Sequence, residues 1–118
     1  MRTLEHPARH ELSLDAVLAA LADPVRRLIV CRLRDKAENP ACARFDLPVS
    51  KSTATHHFRV LREAGLITQQ YQGTSILNAL RSDDLAARFP GLIDAVFAAQ
   101  HIEDASLFDH PESSSPLP

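Results

Sequence analysis

The sequence predicts a mainly helical domain that carries one small β-hairpin. Aliphatic residues recur at helical spacing along most of the 118-residue chain, aromatic residues make up only 5%, and tryptophan is absent. After Gly65 the pattern changes to two β-compatible runs, which Gln72-Gly73 separates. A glycine there supplies the positive φ that a tight hairpin turn needs. At this length we expect one small domain with a modest core.

The first two helices are predicted from their caps. Ser13 is a suitable N-cap for a helix whose apolar positions begin at Leu14. Asp23 is the N-cap of the second helix, and Pro24 occupies its first position, where the missing N–H needs no partner. This second helix should end near Lys36.

The segment between Ser50 and Gly65 predicts an amphipathic helix, with Ser50 as its N-cap and Gly65 just beyond its end. Its apolar stripe contains Ala54, Phe58, Leu61 and Gly65. Its polar face contains Ser52, Thr55, His56, Arg59 and Arg62. Short hydrogen-bonding side chains near the start of a helix and cations further along suit a DNA major groove. An ordinary amphipathic surface helix would show a similar division, so the faces alone leave both readings open.

The order of elements favours the DNA-binding reading. A short helix is expected around residues 41–45, followed by a turn that contains Pro48, the amphipathic helix and the hairpin. This order predicts a winged helix-turn-helix, in which the hairpin is the wing. Arg81 at the end of the hairpin is placed to reach a phosphate.

The C-terminal third should add two helices and a tail. Ser82 is expected to cap a short helix over residues 83–88, and Pro90 to begin a second, strongly apolar one. The predicted organisation is a flexible N-terminal arm over residues 1–11, a domain for DNA binding and dimerisation over 12–100, and an acidic, mostly disordered tail over 101–118.

Two segments resemble a known family. The stretch Val49–Ile67, above all Thr55-His56-His57 and the Val60–Leu66 run, is similar to the recognition-helix signature of the ArsR/SmtB family of winged-helix repressors. Leu21–Leu28 resembles the segment that joins the first two helices of that family. The resemblance implies a dimeric repressor that releases its operator when an effector binds. It places the dimer interface on the two flanking helices, with Leu14, Leu18, Leu92, Val96 and Phe97 as the candidate residues.

The candidate DNA contacts divide into two groups. Ser52, Thr55 and His56 would meet base edges, with Thr53 as a further candidate contact beside them. The cations that would meet phosphates are Lys51, Arg59, Arg62 and Arg81. The charge distribution agrees with this assignment. Residues 1–81 carry 12 basic and 8 acidic groups, whereas residues 82–118 carry 1 basic and 7 acidic groups. Because charge acts locally at moderate salt, a net charge of −2 does not exclude DNA binding.

Metal, cofactor and enzyme readings find little support. Cys31 and Cys42 are the only thiols, and they are weak metal candidates because a soft-metal site needs two or more thiolates together. No cofactor is expected. The sequence lacks a nucleophile–base set at recognisable spacing and a phosphate-binding Gly-rich loop, so an enzyme is not expected.

The leading prediction is a repressor that binds a double-stranded DNA operator as a homodimer and whose effector is unknown. Two alternatives remain. One is a thiol-based redox or metal-responsive repressor that uses Cys31 and Cys42. The other is a winged-helix module for protein–protein contacts. No apolar run is long enough to span a membrane and the N-terminal residues lack a signal-peptide core, so the expected location is the cytoplasm.

Overall fold

The computed structural model describes residues 4–38 and 47–108. The helices are α1 (Leu14–Leu21), α2 (Pro24–Glu38), α3 (Lys51–Ala64), α4 (Ser82–Arg88) and α5 (Leu92–Phe108), and the strands are β1 (Ile67–Gln72) and β2 (Ser75–Leu80). A 3₁₀ turn, Arg9–Glu11, precedes α1. The predicted mainly helical fold with one hairpin is confirmed, and it is that of a winged helix-turn-helix. The predicted helix at residues 41–45 lies outside the described residues.

The predicted caps of the first three helices are present. Ser13, Asp23 and Ser50 each accept a hydrogen bond from a backbone N–H in the first turn of α1, α2 and α3, at 3.3, 2.8 and 3.2 Å. Gly65 follows α3 with a φ of 87°, in the left-handed region that favours glycine. A Cβ at Gly65 would also overlap the side chain of Leu12. Sequence and structure therefore agree on where α3 begins and ends.

Some boundaries differ from the prediction by one or two residues. The hairpin turn is residues 73–74 rather than Gln72-Gly73, because Gln72 still pairs with Ser75. Ser82 is the first residue of α4, and Arg81 occupies the cap position. The second helix extends to Glu38. These shifts leave the hairpin between α3 and α4, where the prediction placed it.

The final helix starts later than predicted and continues further. Pro90 and Gly91 form a turn, in which Gly91 has a φ of 82°, and α5 begins at Leu92. It extends to Phe108, beyond residue 100, where the predicted domain ended. Residues 109–118 lie outside the described part of the chain.

The core joins α1, α2, α3, the start of the hairpin, α4 and, through Phe97, α5. Its fully buried large side chains are Val17, Ile29, Val30, Leu61, Leu66, Ile67 and Leu85. Since Leu61 belongs to α3 and Ile67 to β1, the same core holds the helix and the base of the wing. Within residues 4–38 and 47–108, no helix is both long enough and apolar enough to cross a membrane.

Candidate nucleic-acid interface

The outer face of α3 is a continuous polar stripe. Ser52, Thr55, His56 and Arg59 lie at i, i+3, i+4 and i+7, so they share one side of the helix, and all four are exposed. The opposite side of the helix is buried in the protein and carries His57, Leu61 and Ala64. The structure thus brings most of the predicted contacts of this helix together on one surface.

The N-terminal turn of α3 is rich in hydroxyl groups. The Ser50 hydroxyl donates to the Thr53 hydroxyl at 3.0 Å and lies 3.3 Å from that of Ser52. The Thr55 hydroxyl donates to the backbone carbonyl of Lys51 at 2.9 Å. These groups are exposed, and their bonds close within about one turn of the helix. The backbone N–H groups at a helix N-terminus also favour anions, which suits a phosphate.

The stripe becomes cationic and then acidic along the helix. Arg59 Nη2 lies 3.5 Å from His56 Nδ1, and both side chains are exposed. Glu63 follows one turn after Arg59 on the same side and is also exposed. A carboxylate repels phosphates, so the surface suited to DNA extends from Lys51 to Arg59.

Arg62 is half-buried and makes an internal bond. Its Nη1 donates to Oε1 of Gln69 at 2.7 Å, and Nε2 of Gln69 donates to Oδ1 of Asn78 at 2.9 Å. Gln69 lies on β1 and is 6% exposed, and Asn78 is its partner across the hairpin. The guanidinium of Arg62 therefore connects α3 to both strands of the wing.

Arg81 also makes internal bonds, and its side chain is only 8% exposed. Its Nε donates to Asp84 at 2.9 Å, and its Nη1 donates to the backbone carbonyl of Pro7 at 2.8 Å. Asp84 accepts a second bond, at 2.7 Å, from Arg9. Hydrogen bonds from Arg9 and Arg81 lower the pKa of Asp84. In this geometry Arg81 holds the N-terminal segment against the base of the wing.

The segment ahead of α1 contributes contacts that sequence reasoning missed. His6 Nε2 accepts a hydrogen bond from the backbone N–H of Gln69 at 2.9 Å. Burial lowers the pKa of His6, and the positive charges of Arg62 and Arg81 lower it further. His6 stands in a polar stretch without helical or strand periodicity, so no sequence pattern indicates that it reaches the wing.

A second arginine contact supports α3 from its buried side. Arg26 Nε donates to the carbonyl of Ala20 at 2.7 Å, and its Nη1 lies 3.2 Å from His57 Nδ1. His57 is 7% exposed. It therefore belongs to the packing beneath α3, whereas the neighbouring His56 faces outward.

The comparisons with known proteins agree with this geometry. The family model described as bacterial regulatory protein, arsR family, matches residues 23–69. The HTH-type transcriptional regulator CmtR of Mycobacterium tuberculosis is 32% identical over 88 residues, which cover 75% of each protein. The uncharacterized HTH-type transcriptional regulator YuzN of Bacillus subtilis is 28% identical over 87 residues, which cover 68% of this chain and 95% of YuzN.

The chain belongs to the ArsR family of bacterial regulatory proteins. It is a transcriptional regulator with a DNA-binding helix-turn-helix domain, and not an enzyme. The matched residues, 23–69, include the whole of α2 and α3 and the first part of β1. They therefore contain the exposed stripe of α3 and the Arg62–Gln69 bond.

The predicted dimer residues of this ArsR-family regulator differ in how far they are exposed. Leu14 and Leu18 on α1 are 47% and 45% exposed and lie one turn apart on the same side of the helix. Leu92 and Val96 on α5 are half-buried against the core. Phe97 is 8% exposed and lies in the core, where the guanidinium of Arg34 stands 4.3 Å from its ring centre. Phe97 therefore offers little surface to a second subunit.

Of the two thiol candidates, the structure describes only Cys31. Cys31 is half-buried on α2, and Cys42 lies outside the described part of the chain. Burial raises the pKa of Cys31, and the charges of Asp35 and Asp104 raise it further. Within residues 4–38 and 47–108, no three His, Cys, Asp or Glu side chains are grouped in a way that would hold a metal ion.

Proposed function

We propose that this ArsR-family regulator is a repressor that binds an inverted-repeat operator as a homodimer, with α3 in the major groove. The observation that carries the proposal is the exposed stripe on α3, which combines short hydroxyl side chains, a histidine and an arginine. The buried side of the same helix is anchored by Leu61 in the core. A rigidly held helix presents such a stripe in one fixed register.

The proposed contacts follow the position of each side chain on α3. Ser52, Thr55 and His56 face base edges, and Thr53 and Lys51 lie beside them at the first turn. Arg59 contacts a phosphate, as does Lys51. The predicted phosphate contacts Arg62 and Arg81 are already engaged inside the protein, so we give them a supporting role.

The proposed homodimer uses α1 and α5. The helix α5 has exposed apolar residues at i, i+3, i+4 and i+7, namely Ala95, Ala98, Ala99 and Ile102. Ile102 is 67% exposed. Small side chains allow close approach of two helices, and Leu14 and Leu18 extend the apolar surface on α1. A two-fold axis through such an interface would set the spacing of the two α3 helices on an inverted repeat.

We expect the repressor to act in the cytoplasm, where bacterial DNA lies, and to respond to an effector of unknown identity. A thiol switch between Cys31 and Cys42 is less well supported. A raised pKa lowers the thiolate fraction of Cys31 at neutral pH, and the thiolate is the reactive form. The wild-type protein and a variant with both cysteines changed to serine should therefore have the same operator affinity under reducing and under oxidising conditions, and the same effector-dependent release of DNA.

The test of operator binding is fluorescence anisotropy with a labelled duplex from the DNA upstream of the coding region, and a scrambled duplex as control. Tight, salt-sensitive binding that prefers the upstream duplex is the expected result for an autoregulatory repressor. His56→Ala should reduce this preference by about 1–3 kcal/mol. His101→Ala, which removes another exposed histidine on α5, is the matched control and should change nothing. Absence of binding to any duplex at low salt would favour a protein-contact module instead.

The test of dimerisation is the mass of the protein in solution by light scattering. Leu18→Glu places a charge on the proposed interface and should shift the population to monomers. Leu77→Glu alters a leucine of similar exposure, 42%, on the wing and should leave the dimer intact. A wild-type protein that is monomeric at micromolar concentration would contradict the proposed interface.

A further inference from the structure

The wing of this regulator is uncharged. Residues 66–80 contain no Lys, Arg, Asp or Glu, and the strands expose glutamines together with Tyr71, Ile76 and Leu77. Phosphate attraction acts on charged groups, so side chains of this segment gain no such attraction to the DNA backbone. Charge on the wing therefore does not set its direction, and the bonds that hold it lie within the protein.

Gln69 is the residue that fixes it. Its side chain accepts from Arg62 of α3 and donates to Asn78 of β2, while its backbone N–H donates to His6 of the N-terminal segment. At 6% exposure these bonds exchange little with water. Buried polar bonds hold their partners in one arrangement because an unmet donor or acceptor is costly. One side chain thus ties the wing to α3, and its backbone ties the wing to the N-terminal segment.

Arg62 is half-buried, and its guanidinium supports the wing from within the protein. Its Nε is buried and has no hydrogen-bond partner among the described residues, and its Nη1 is committed to Gln69 at 2.7 Å. Arg59, less than one turn earlier on α3, is exposed. The difference in burial separates the two arginines by role.

We propose that Arg62 and Gln69 are positioning residues, which fix the wing relative to α3 so that its uncharged tip meets DNA in a defined register. This inference rests on the proposed function, since it assigns the wing a contact with the same operator. It implies that Arg62 raises operator affinity without neutralising a phosphate. The salt dependence of binding distinguishes this role from a phosphate contact.

Tyr71 provides a direct reading of wing motion. It is the only tyrosine in a chain without tryptophan, and it lies near the tip of the hairpin opposite Ile76. Its time-resolved fluorescence anisotropy therefore reports the wing without any label and without DNA. In Arg62→Met, Gln69→Leu and Asn78→Ala, we expect a larger fast component of the anisotropy decay than in the wild-type protein.

The matched control is Gln70→Leu, which makes the same substitution as Gln69→Leu at the next residue of β1. Gln70 is exposed and lies on the other face of the hairpin, opposite Leu77. Its replacement should leave the Tyr71 decay unchanged. If Gln69→Leu does not fold, Asn78→Ala gives the reading, because it removes the acceptor of Gln69 at a half-buried position.

The second measurement is operator affinity across a range of salt. Arg62→Met should weaken binding by about five- to twentyfold while the slope of log K against log salt stays at the wild-type value. The Arg62→Met, Gln69→Leu double variant should bind about as well as the weaker single variant, because both changes break one connection.

The outcomes separate the positioning role from the proposed function. If Arg62→Met lowers the salt slope by about one and leaves the Tyr71 decay unchanged, Arg62 is a phosphate contact and the inference is wrong. An unchanged Tyr71 decay in all three variants also overturns it. If the wild-type protein binds no operator, the proposed function is wrong, and so is the part of the inference that places the wing on DNA. The fluorescence anisotropy decay of Tyr71 then still tests whether Gln69 fixes the wing relative to α3.

Discussion

The two ends of α3 are built differently. Between Ser50 and Arg59 the polar side chains are exposed, apart from His57, and the hydrogen bonds of the exposed ones close within about one turn of the same helix. From Leu61 to Gly65 the helix is fixed by the core, the N-terminal segment and the wing. The first end can exchange its bonds for contacts to DNA at little cost, whereas the second end can do so only by disrupting the domain.

Residue type and helix position alone do not define a DNA contact. Arg59 and Arg62 are three residues apart, and both lie off the apolar stripe that the sequence shows. The structure exposes Arg59 and directs Arg62 into a polar chain with Gln69. Burial decides which arginine has donors available for a phosphate.

The largest effect is expected where the fixed end of α3 enters the core. Leu61 is fully buried, so Leu61→Ala removes apolar contacts and leaves a cavity. The expected loss is about 2–5 kcal/mol of the free energy of unfolding, measured by urea denaturation. Val60→Ala, at a half-buried neighbour, is the control and should cost clearly less. Equal losses from the two variants would mean that Leu61 is not the anchor.

A smaller loss is expected at the junction of α3 with the wing. Gly65→Ala forces a φ of 87° on a residue that has a Cβ, and that Cβ would overlap Leu12. We expect a destabilisation of about 1–3 kcal/mol. Gly73→Ala also has a positive φ, of 65°, but has no neighbour within 4 Å of the added Cβ. The difference between their thermal midpoints measures the contact with Leu12 apart from the backbone strain.

The exposed end of α3 should respond in binding and not in stability. Arg59→Ala removes an exposed side chain, so the free energy of unfolding should change by less than about 0.5 kcal/mol. Binding to all duplexes should weaken, and the salt slope should fall by about one unit, as expected for one lost phosphate contact. An unchanged affinity and slope would mean that α3 does not approach DNA through this stripe.

The fold was predictable because its signals are local. Ser13, Asp23, Ser50 and Gly65 occupy cap positions whose geometry depends only on neighbouring residues, and the structure has all four. The hairpin was likewise predictable from the change to β-compatible residues around a glycine. Its turn was predicted one residue early, because either Gln72-Gly73 or Gly73-Thr74 would place Gly73 in the turn.

The candidate site was predictable only where it is local. The exposed stripe follows from helical periodicity, so Ser52 and Arg59 were placed on the outer face correctly. The connections of Arg62 to Gln69 and of Arg81 to Pro7 span 7 and 74 residues, and Phe97 reaches the core from a distant helix. Such contacts depend on how helices and strands pack, which residue spacing within one element does not encode. Whether the proposed residues contact DNA stays a prediction.

The smallest expected effect is a pH dependence at the junction of the N-terminal segment and the wing. His6 accepts a bond through Nε2, which requires a neutral ring, and its pKa lies below the ordinary value of 6.5. The unfolded chain therefore takes up this proton at a higher pH than the folded protein does. The contribution of His6 to stability is complete above pH 6.5 and is lost as the pH falls towards the lowered pKa.

The variant His6→Gln separates the titration of His6 from that of other groups, because the side-chain carbonyl of glutamine is a hydrogen-bond acceptor at every pH. The difference in urea midpoint between wild type and His6→Gln should be constant above pH 6.5 and should shift in favour of the variant at pH 5.5. Asp84 does not interfere, because the stability that its lowered pKa contributes is lost only as the pH falls through the ordinary value of 3.8 towards the lowered pKa, outside the compared pH range. A difference that stays constant from pH 7.5 to 5.5 would show that the His6–Gln69 bond does not hold the N-terminal segment on the wing.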